Sequence, residues 1–478
     1  MATTVESLTG SPAVLSDEDL SNLRMALRGQ VLTPDDAGYA DVRPAYNAMH
    51  PGSPAIVVVA SGTADVIDAV NFAREHDLLV AVRGGGHSVA GLSSVDGGML
   101  IDLAPMRGVD VDPEASIARV QGGALWGDVD RETQAFGLVA PGGVVSDTGV
   151  AGLALGGGEG WARRKYGLSC DNILSAQVVC ADGKLRTASA DTNSDLYWAL
   201  RGGGGNFGVV TSLTFELHPM GPIVAFTGVF YPVADAAEVW RGFRDWSLTA
   251  PDEVSALCAC TTLPAHDALP PEIHDTPFIV IGAVYSGDPD DGMKVMQPLR
   301  NLATPLVDIS QPLPFVGVQA AFDPFFVRGT LRSYWKSMYI NDITDDMIEL
   351  LARKAAERPS MRTFAPITFL MGGAINRVDP EATAYSERSA NYLLSIDGNW
   401  SDPAEDQKVI SWVRDTWAEF APYGTGGVYL NFRSLADESE DSDVENTFGD
   451  NMRRLSEVKA KYDPTNFFRR NNNITPTG

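Results

Sequence analysis

A histidine follows three consecutive glycines in the stretch VRGGGHSV, where it is His87. Glycines let a chain turn tightly and expose successive backbone N–H groups, so such a loop can bind the oxyanions of a ligand through its main chain. Imidazole adds a nucleophile and proton acceptor near neutral pH. The stretch predicts a ligand-binding loop in which the histidine has its own role, and the simpler alternative is a turn histidine bonded to its own backbone.

Two further glycine-rich stretches follow, APGGVVSDTGVAGLALGGGEG at residues 140–160 and GGGGNFG at residues 202–208. The last contains the GxGxxG pattern of dinucleotide-binding folds, which requires a strand before it and a helix after it. Here SDLYWALR predicts a helix before the pattern and GVVTSLTFELHP a strand after it. The context argues against a nicotinamide-dependent dehydrogenase, and the uneven spacing predicts separate loops that converge on one ligand.

Hydrophobic spacing predicts the elements that position these loops. From residue 55, AIVVVA, TADVIDAVNFAREH and LLVAVR predict a strand, a helix and a second strand. The His87 loop then follows the C-terminal end of a strand, a usual ligand position in α/β layers. Strands are also predicted at MLIDL and SIARVQ, a helix at ALWGDVDRETQAFG, and a hairpin in ILSAQVVCADGKLRTAS.

The pattern changes near residue 219, and 478 residues exceed the usual size of one hydrophobic core. Strands are predicted at VAFTGVFY, FIVIGAVY, TFLMGGAI and YLLSID, with amphipathic helices at DDMIELLARKAAE and QKVISWVRDTWAEF. We therefore expect a second α+β domain. The acidic run DESEDSDVE is expected to be a solvated surface loop.

Composition excludes several partners. The formal net charge of −26 would repel a phosphate backbone, so no nucleic acid is expected. No run of apolar residues approaches the length that spans a bilayer, and no leader-like segment opens the chain, so the expectation is a soluble, cytoplasmic protein without a membrane partner. The four cysteines form no CxxC pair, no metal site is predicted, and Cys180, Cys258 and Cys260 are interpreted as core residues.

Four separated segments occur in order along the chain: RGGGHSVAGLSSVDGGMLIDL, GGGEGWARRKYGLSCDNI, LYWALRGGGGNFGVV and YDPTNFFRRNNNI. Together they resemble the berberine bridge enzyme-like branch of the vanillyl-alcohol-oxidase-type FAD-linked oxidoreductases. The resemblance implies an α+β, two-domain PCMH-type FAD-binding fold with an antiparallel-sheet substrate domain flanked by helices. It implies an FAD-binding domain at residues 1–218, a substrate-binding domain at 219–435, and a C-terminal segment, 436–478, that returns to the FAD domain.

The resemblance implies FAD attached by two covalent bonds, from His87 to the 8α-methyl group and from Cys170 to ring carbon 6. Imidazole and thiolate can both add to an electron-poor flavin, although Cys170 could instead be a small core residue. The other implied cofactor-binding residues belong to the three glycine-rich stretches, the following strand and the C-terminus: Arg83, Gly84, Gly85, Gly86, Ser88, Gly91, Gly143, Asp147, Gly149, Gly152, Gly157, Gly160, Gly208, Val210, Asn471 and Asn473.

Oxidation of an alcohol by a flavin requires a base for the hydroxyl proton. GGVYLNF resembles the family's YxN[FY] strand, which implies Tyr429 as the base and Asn431 as its positioning partner; the alternative is an ordinary packed tyrosine. Tyr334, Trp335 and Lys336 resemble a substrate-pocket segment or else pack an amphipathic segment. Ser395 stands where bridge-forming plant members carry a carboxylate, so bridge-forming alkaloid chemistry is not expected.

The predicted activity is oxidation of an alcohol or hemiacetal, of the carbohydrate or secondary-metabolite class, by hydride transfer to bicovalent FAD. Dioxygen is the expected acceptor and hydrogen peroxide the product. The alternatives are a flavin dehydrogenase or amine oxidase with another acceptor, and a flavin-binding protein without turnover.

Overall fold

The computed structural model describes residues 2–263, 265, 271–359, 362–434 and 447–477. Within these ranges the chain forms a four-stranded, a five-stranded and an eight-stranded sheet, with two two-stranded ribbons, Thr3–Val5 with Ala13–Leu15 and Leu138–Val139 with His218–Pro219. The acidic run at residues 437–445 and the expected boundary between residues 435 and 436 lie outside the described residues.

The four-stranded sheet contains the predicted strand, helix, strand unit. Its strands, in spatial order, are Gln30–Leu32, Ile56–Val59, Met99–Asp102 and Val80–Arg83. Met99–Asp102 pairs in parallel with both neighbours, and the helix Thr63–Glu75 connects Ile56–Val59 to Val80–Arg83. The apolar face of this helix packs on the sheet, because Val66, Ala69, Val70 and Ala73 are buried there. The His87 loop therefore leaves the end of a buried strand, as predicted.

The five-stranded sheet is antiparallel throughout, with the order Leu185–Ser189, Ile173–Val179, Val209–Glu216, Ile117–Gln121 and Val109–Asp112. The first two strands form the predicted hairpin. The helix Ser194–Leu200 precedes the GGGGNFG stretch and the strand Val209–Glu216 follows it. This order confirms that the GxGxxG pattern does not have the strand, loop, helix context of a dinucleotide fold.

The eight-stranded antiparallel sheet lies in residues 223–400. Seven strands follow the order Val307–Asp308, Ile223–Pro232, Pro277–Tyr285, Val254–Thr262, Phe364–Leu370, Tyr392–Trp400 and Arg332–Ile340, and Gln311–Pro314 also pairs with Ile223–Pro232. The sequence did not predict Val254–Thr262. It placed TFLMGGAI in one strand, but the strand ends at Leu370, since Gly372 and Gly373 have positive φ.

The two faces of this sheet have different neighbours. One face packs on the helices Ala236–Ser247, Asp345–Glu357 and Asp406–Phe420 in a single apolar core. The opposite face carries Leu257, Ala259 and other side chains toward the glycine-rich loops. Because successive side chains of a strand point to opposite faces, neighbours along each strand are divided between the helices and the loops.

The remaining helices are short or lie at the surface: Asp17–Ala26, Tyr39–Val42, Trp126–Gln134, Val150–Leu155, Arg163–Tyr166, Pro289–Val295, Phe315–Gln319, Ala374–Arg377 and Met452–Tyr462. The last packs on Ser194–Leu200, and Phe467 and Phe468 enter the core beside the four-stranded sheet. The described C-terminal residues thus lie against the N-terminal sheets. The structure confirms the expected α+β architecture.

No helix in the described part of the chain combines the length and apolar character needed to cross a membrane. Among the same residues, no group of three or more His, Cys, Asp or Glu side chains is arranged to hold a metal ion.

Candidate active site

A cavity of about 310 Å³ lies between the glycine-rich loops and the loop-facing side of the eight-stranded sheet. Its lining comes from the His87 loop, the second and third glycine-rich stretches, five strands of the large sheet, and the C-terminal segment. The lining includes Val82, Gly84, Gly85, Gly86, His87, Ser88, Gly143, Gly149, Gly152, Glu159, Gly205, Phe326, Trp335, Phe364, Phe369, Asp397, Asn431, Phe432, Arg433, Arg470, Asn471 and Asn472.

The first two glycine-rich loops touch each other through their backbones. A Cβ atom on Gly85 would lie 2.3 Å from the Cα of Gly149, and a Cβ on Gly149 would lie 2.4 Å from the nitrogen of Gly85. Glycine is required at both positions because any side chain would displace the other loop. The predicted convergence of these loops is therefore present, with Gly84, Gly86, Ser88, Gly143 and Gly152 also on the cavity wall.

His87 presents an unsatisfied nitrogen in this wall. Its ring stacks on Tyr46, with 4.0 Å between the ring centroids and 17° between the planes. Nε2 is shielded from solvent and has no hydrogen-bond partner in the described structure. Burial, with help from the Arg328 cation, lowers the pKa of His87 to about 3. The imidazole is therefore neutral, and its lone pair is available to a ligand atom.

The residues present fit FAD. The unpartnered Nε2 of His87 is a nucleophile at the cavity, and Cβ atoms on Gly152 or Gly205 would meet no protein atom within 4 Å, which leaves open space beside the backbone. Arg433 and Arg470 also line the cavity. Guanidinium groups and exposed backbone N–H groups are suited to bind a diphosphate.

The C-terminal asparagines divide between the cavity wall and the region behind it. Asn471 lines the cavity and donates hydrogen bonds to the carbonyl oxygens of Gly205 (3.4 Å) and Phe468 (2.8 Å). Asn473 does not line it, although its Oδ1 is buried without a partner. The predicted Asn471 is thus at the site, and the neighbouring Asn472, which the sequence did not single out, lines it too.

Cys170 does not border the cavity. Its side chain is fully buried in the core, its backbone N–H donates to the Gly157 carbonyl (2.8 Å), and its Sγ contacts the Asp171 carboxyl at 3.6 Å. Burial raises the pKa of the thiol, and Asp171 raises it further. None of the described lining residues is a cysteine. This position matches the core alternative, and the second attachment to the flavin stays a prediction.

Arg83 faces away from the cavity, contrary to expectation. It ends the strand Val80–Arg83, and alternation places Val82 on the cavity wall and Arg83 behind it. Its guanidinium pairs with buried Asp102 (2.6 Å) and also donates to the Val42 carbonyl. Arg83 therefore supports the loop from behind.

Six further expected cofactor residues do not line the cavity: Gly91, Asp147, Gly157, Gly160, Gly208 and Val210. The four glycines permit close packing within the protein, since a Cβ would meet His50 at Gly91, Tyr385 at Gly157, the Gly142 carbonyl at Gly160 and the Val179 carbonyl at Gly208. Val210 is a buried strand residue paired with Val178, and Asp147 forms an ion pair with Arg328 (3.1 Å).

The Tyr429 oxygen is surrounded by hydrogen-bond donors. The backbone N–H groups of Gly158 (3.0 Å) and Glu159 (3.2 Å) donate to it, as does Nδ2 of Asn431 (2.9 Å). No described residue accepts a hydrogen bond from this hydroxyl. Three donors exceed the two acceptor sites of a neutral phenol and match a phenolate. Burial and then Glu159 raise the pKa of Tyr429, and the three donors lower it.

Tyr429 is not in the predicted strand. The segment Leu430–Phe432 is a 3₁₀ turn, and the backbone N–H of Tyr429 donates to the Ser337 hydroxyl (3.2 Å). Tyr429 itself does not line the cavity, whereas Asn431 does. Asn431 also donates to the Leu153 carbonyl (2.9 Å), so it connects the tyrosine to the second glycine-rich loop.

Glu159 lines the cavity beside this tyrosine, and the sequence did not single it out. Its carboxylate pairs with fully buried Arg163 at 3.2 Å, and Arg163 also donates to the carbonyls of Gly160, Ala256 and Leu370. Burial raises the pKa of Glu159, and Arg163 opposes that shift. The Arg163 cation thus neutralises the Glu159 carboxylate, which lies next to Tyr429.

Strand alternation separates the expected substrate residues. Trp335 lines the cavity and donates from Nε1 to Asn399 (3.0 Å). Tyr334 and Lys336 do not line it: the Tyr334 ring packs beneath Arg414 and belongs to the helix-side core, and the Lys336 ammonium lies 4.7 Å from the Trp417 ring centroid. Of these three residues, only Trp335 lines the cavity.

Ser395 does not line the cavity, whereas Asp397, the next residue on the same face of the strand, does. Asp397 lines the cavity and accepts a hydrogen bond from the Ser395 hydroxyl. The sequence emphasised the missing carboxylate at position 395, although two-residue alternation in YLLSIDGNW would have placed Asp397 on the same face. This strand therefore does bring a carboxyl group to the cavity.

Comparison with protein families gives two matches. A family described as "FAD binding domain" matches residues 54–189, and one described as "Berberine and berberine like" matches residues 428–475. The first contains the His87 loop and the second glycine-rich stretch. The second contains Tyr429, Asn431 and the C-terminal asparagines.

Relatives match almost the whole chain. An FAD-linked oxidoreductase of Dictyostelium discoideum is 30% identical over 427 residues, which are 89% of each chain. The crystal structure of 6-hydroxy-D-nicotine oxidase from Arthrobacter nicotinovorans has a TM-score of 0.83 and 27% identity, and the match covers 95% of this chain and 99% of that one. Xylooligosaccharide oxidase from Myceliophthora thermophila has a TM-score of 0.82 and 25% identity, with 97% and 99% covered. The chain therefore belongs to the berberine bridge enzyme-like FAD-linked oxidoreductases and has their two-domain PCMH-type fold.

Proposed function

We propose that this protein oxidises the CH–OH group of an alcohol or hemiacetal and passes the electrons to dioxygen, which forms hydrogen peroxide. The observation that carries the proposal is the Tyr429 oxygen, which three N–H donors hold beside cavity-lining Asn431. The name of the xylooligosaccharide oxidase supports a carbohydrate, and a secondary-metabolite alcohol is the other substrate class that we propose.

FAD would be held mainly by the N-terminal region. His87 Nε2 would bond to the 8α-methyl carbon of the flavin, and the glycine backbones with Arg433 and Arg470 would bind the diphosphate. We propose one covalent attachment, because the Cys170 thiol lies in the core against the Asp171 carboxyl. We also propose that residues 1–218 and 436–478 form the FAD domain and residues 219–435 the substrate domain.

Tyr429 would remove the hydroxyl proton of the substrate. FAD supplies a hydride acceptor when it is bound. The two backbone N–H groups and Asn431 stabilise negative charge on the tyrosine oxygen, so this residue can accept a proton as the carbonyl product forms. Because burial raises the pKa of Tyr429, the reactive phenolate becomes more abundant as pH rises.

The test is Tyr429→Phe, with flavin reduction followed without air. A panel of sugars and polycyclic alcohols first identifies a substrate by bleaching of the flavin. The variant should retain FAD and be reduced at least about tenfold more slowly, since positioned acid-base groups contribute that much or more. The wild-type rate should rise with pH, and this rise should disappear in the variant.

Tyr39→Phe is the matched control, because the Tyr39 hydroxyl donates to the Pro54 carbonyl (2.7 Å) in a separate small core. It should be reduced at the wild-type rate. An unchanged rate in Tyr429→Phe would remove Tyr429 from the role of base.

A second candidate is the oxidation of an amine, and Asp397 favours it, since a buried carboxyl at the cavity suits a cationic ligand. Hydrogen peroxide formed with amines and not with alcohols would decide for this candidate. A dehydrogenase would reduce its flavin with the alcohol but transfer the electrons to a quinone or another acceptor faster than to dioxygen.

A further inference from the structure

Asp397 is a buried carboxyl group that lacks an internal cation. It is 4% exposed, it lines the cavity, and the Ser395 hydroxyl donates to it. No described residue forms an ion pair with it. Four other buried carboxyl groups have a cation from the chain itself: Asp102 with Arg83, Glu159 with Arg163, Asp171 with Arg388, and Asp463 with Lys459. Buried Asp130 also forms no ion pair with a described residue, but unlike Asp397 it does not line the cavity.

This difference has an energetic consequence. An ionised carboxylate that is removed from water is costly unless a cation or several donors face it. The four paired groups meet that requirement within the protein. Asp397 has one hydroxyl donor, so its carboxyl group either keeps a proton or takes a cation from a ligand in the cavity.

The walls beside Asp397 are aromatic. In the sheet its backbone lies opposite Trp335 on one side and Phe364 on the other, and both side chains line the cavity. Phe326, Phe369 and Phe432 contribute further to the lining. Aromatic faces accept both apolar groups and cations.

We infer that Asp397 is a specificity-determining residue that binds a protonated nitrogen of the substrate, which is thus an amine or amino alcohol with an aromatic or other apolar body. The inference rests on the proposed function, because it takes this cavity as the substrate site. Tyr429 remains the group that accepts the proton of the reacting centre, and the nitrogen held by Asp397 anchors the molecule.

The ionisation of Asp397 gives this inference a pH signature. Burial raises the pKa of Asp397 to about 8, and nearby Glu159 adds to the shift while Ser395 opposes it. The other charged or titratable groups around it are Tyr46, His87, Arg433 and, paired with Glu159, Arg163; the Lys336 ammonium packs with Trp417 of the helix Asp406–Phe420. A cationic ligand must displace the carboxyl proton below pH 8, so its affinity rises with pH.

The experiment uses the FAD-loaded protein, calorimetry without air, and two probes of equal size, 2-phenylethylamine and 2-phenylethanol. From pH 7 to pH 9 the affinity for the amine should rise about tenfold, because the ionised share of an acid with a pKa of about 8 rises that much; the amine stays largely protonated, as lysine does, up to roughly pH 10. Affinity for the alcohol should change by less than about twofold.

Asp397→Asn should abolish the rise and weaken amine binding at pH 9 at least about tenfold, with the alcohol unaffected. The control Asp402→Asn removes an exposed carboxylate just beyond the same strand and should behave as wild type. A wild-type amine affinity that is flat with pH overturns the inference even if the variant fails to fold, and so does an equal loss of both probes in Asp397→Asn.

The same samples distinguish this inference from the proposed function. FAD content is read from absorbance, and flavin reduction is scored separately from binding. Amine binding through Asp397 in a protein whose flavin no alcohol or amine reduces would refute the oxidase proposal alone. Flavin reduction by alcohols without pH-dependent amine binding would refute the inference alone.

Discussion

At the scale of single residues, His87 and Cys170 differ in where their reactive atoms lie. His87 borders the cavity with an unpartnered Nε2, whereas Cys170 is fully buried in the core. His87→Ala should therefore release the flavin on acid precipitation and leave a colourless pellet. Cys170→Ser should keep a yellow pellet and the wild-type mass of the FAD adduct. A pellet that loses its colour in Cys170→Ser would restore the second attachment.

The sequence indicated that His87 lies on a loop after a strand, but it left open whether Cys170 faces a cofactor or the core. The glycines before His87 indicate a ligand-binding loop after a strand, which is local information. Whether a thiol faces a cofactor depends on how the 3₁₀ segment Ser169–Asn172 packs against the second glycine-rich loop, through the Cys170 N–H and the Gly157 carbonyl. The position of Asp397 could have been predicted, since strand alternation alone places its side chain on the same face of the strand as Ser395.

At the scale of elements, the second glycine-rich stretch contains two kinds of glycine. Gly149 touches the backbone of the first loop, and a Cβ there would overlap Gly85. Gly152, in the helix Val150–Leu155, lines the cavity, and a Cβ there would meet nothing within 4 Å. Gly149 permits close contact between the two loops, and Gly152 leaves room for a ligand.

Alanine at these two positions should therefore have different effects. Gly149→Ala should lower the thermal midpoint of the apoprotein, because overpacking costs about 1–3 kcal/mol. Gly152→Ala should leave that midpoint equal or higher, since alanine is favoured over glycine in a helix by about 1 kcal/mol, but should reduce the FAD bound per chain. Full FAD content in Gly152→Ala would show that this wall is not a cofactor surface.

Strands with regular alternation were predictable, and the segment that carries Tyr429 was not. Thr425 and Gly427 still exchange backbone hydrogen bonds with Tyr339 at the sheet edge, but Gly426 has a positive φ and the Ser337 hydroxyl takes the Tyr429 N–H. The ladder therefore stops two residues before Tyr429. The local pattern GGVYLNF does not show that the Ser337 hydroxyl, on another strand, accepts the backbone N–H of Tyr429 in place of a strand carbonyl.

At the scale of the whole molecule, polar contacts connect the two sides of the cavity. Gln319 donates to the Gly143 carbonyl (2.7 Å), the Ser146 N–H donates to Asp323 (3.0 Å), and Arg328 pairs with Asp147. Each of these contacts has one partner in segment 315–330, namely Gln319, Asp323 or Arg328. The same segment brings Phe326 to the cavity wall. The second glycine-rich loop thus binds the large sheet's connecting segment directly, and the site is closed by residues from both regions.

A buried ion pair in the C-terminal segment connects this segment to the N-terminal region of the protein. Lys459 and Asp463 are both fully buried and 2.7 Å apart, and Lys459 also donates to the carbonyls of Asn206 (2.7 Å) and Phe468 (2.9 Å). Lys459 therefore connects the end of the chain to the third glycine-rich stretch. Asp463 in turn accepts the N–H groups of Phe467 and Phe468, which orders the approach to Asn471.

Lys459→Met should consequently weaken the fold and the cofactor site together. Loss of one partner of a buried pair leaves an uncompensated charge and costs about 3–5 kcal/mol, so the urea midpoint and the FAD content should both fall. Lys461→Met is the control two residues away: its ammonium pairs with Asp195 at 2.6 Å but is 58% exposed, and such surface pairs contribute at most about 1 kcal/mol. Equal midpoints for the two variants would mean that the C-terminal segment does not hold the FAD region in place.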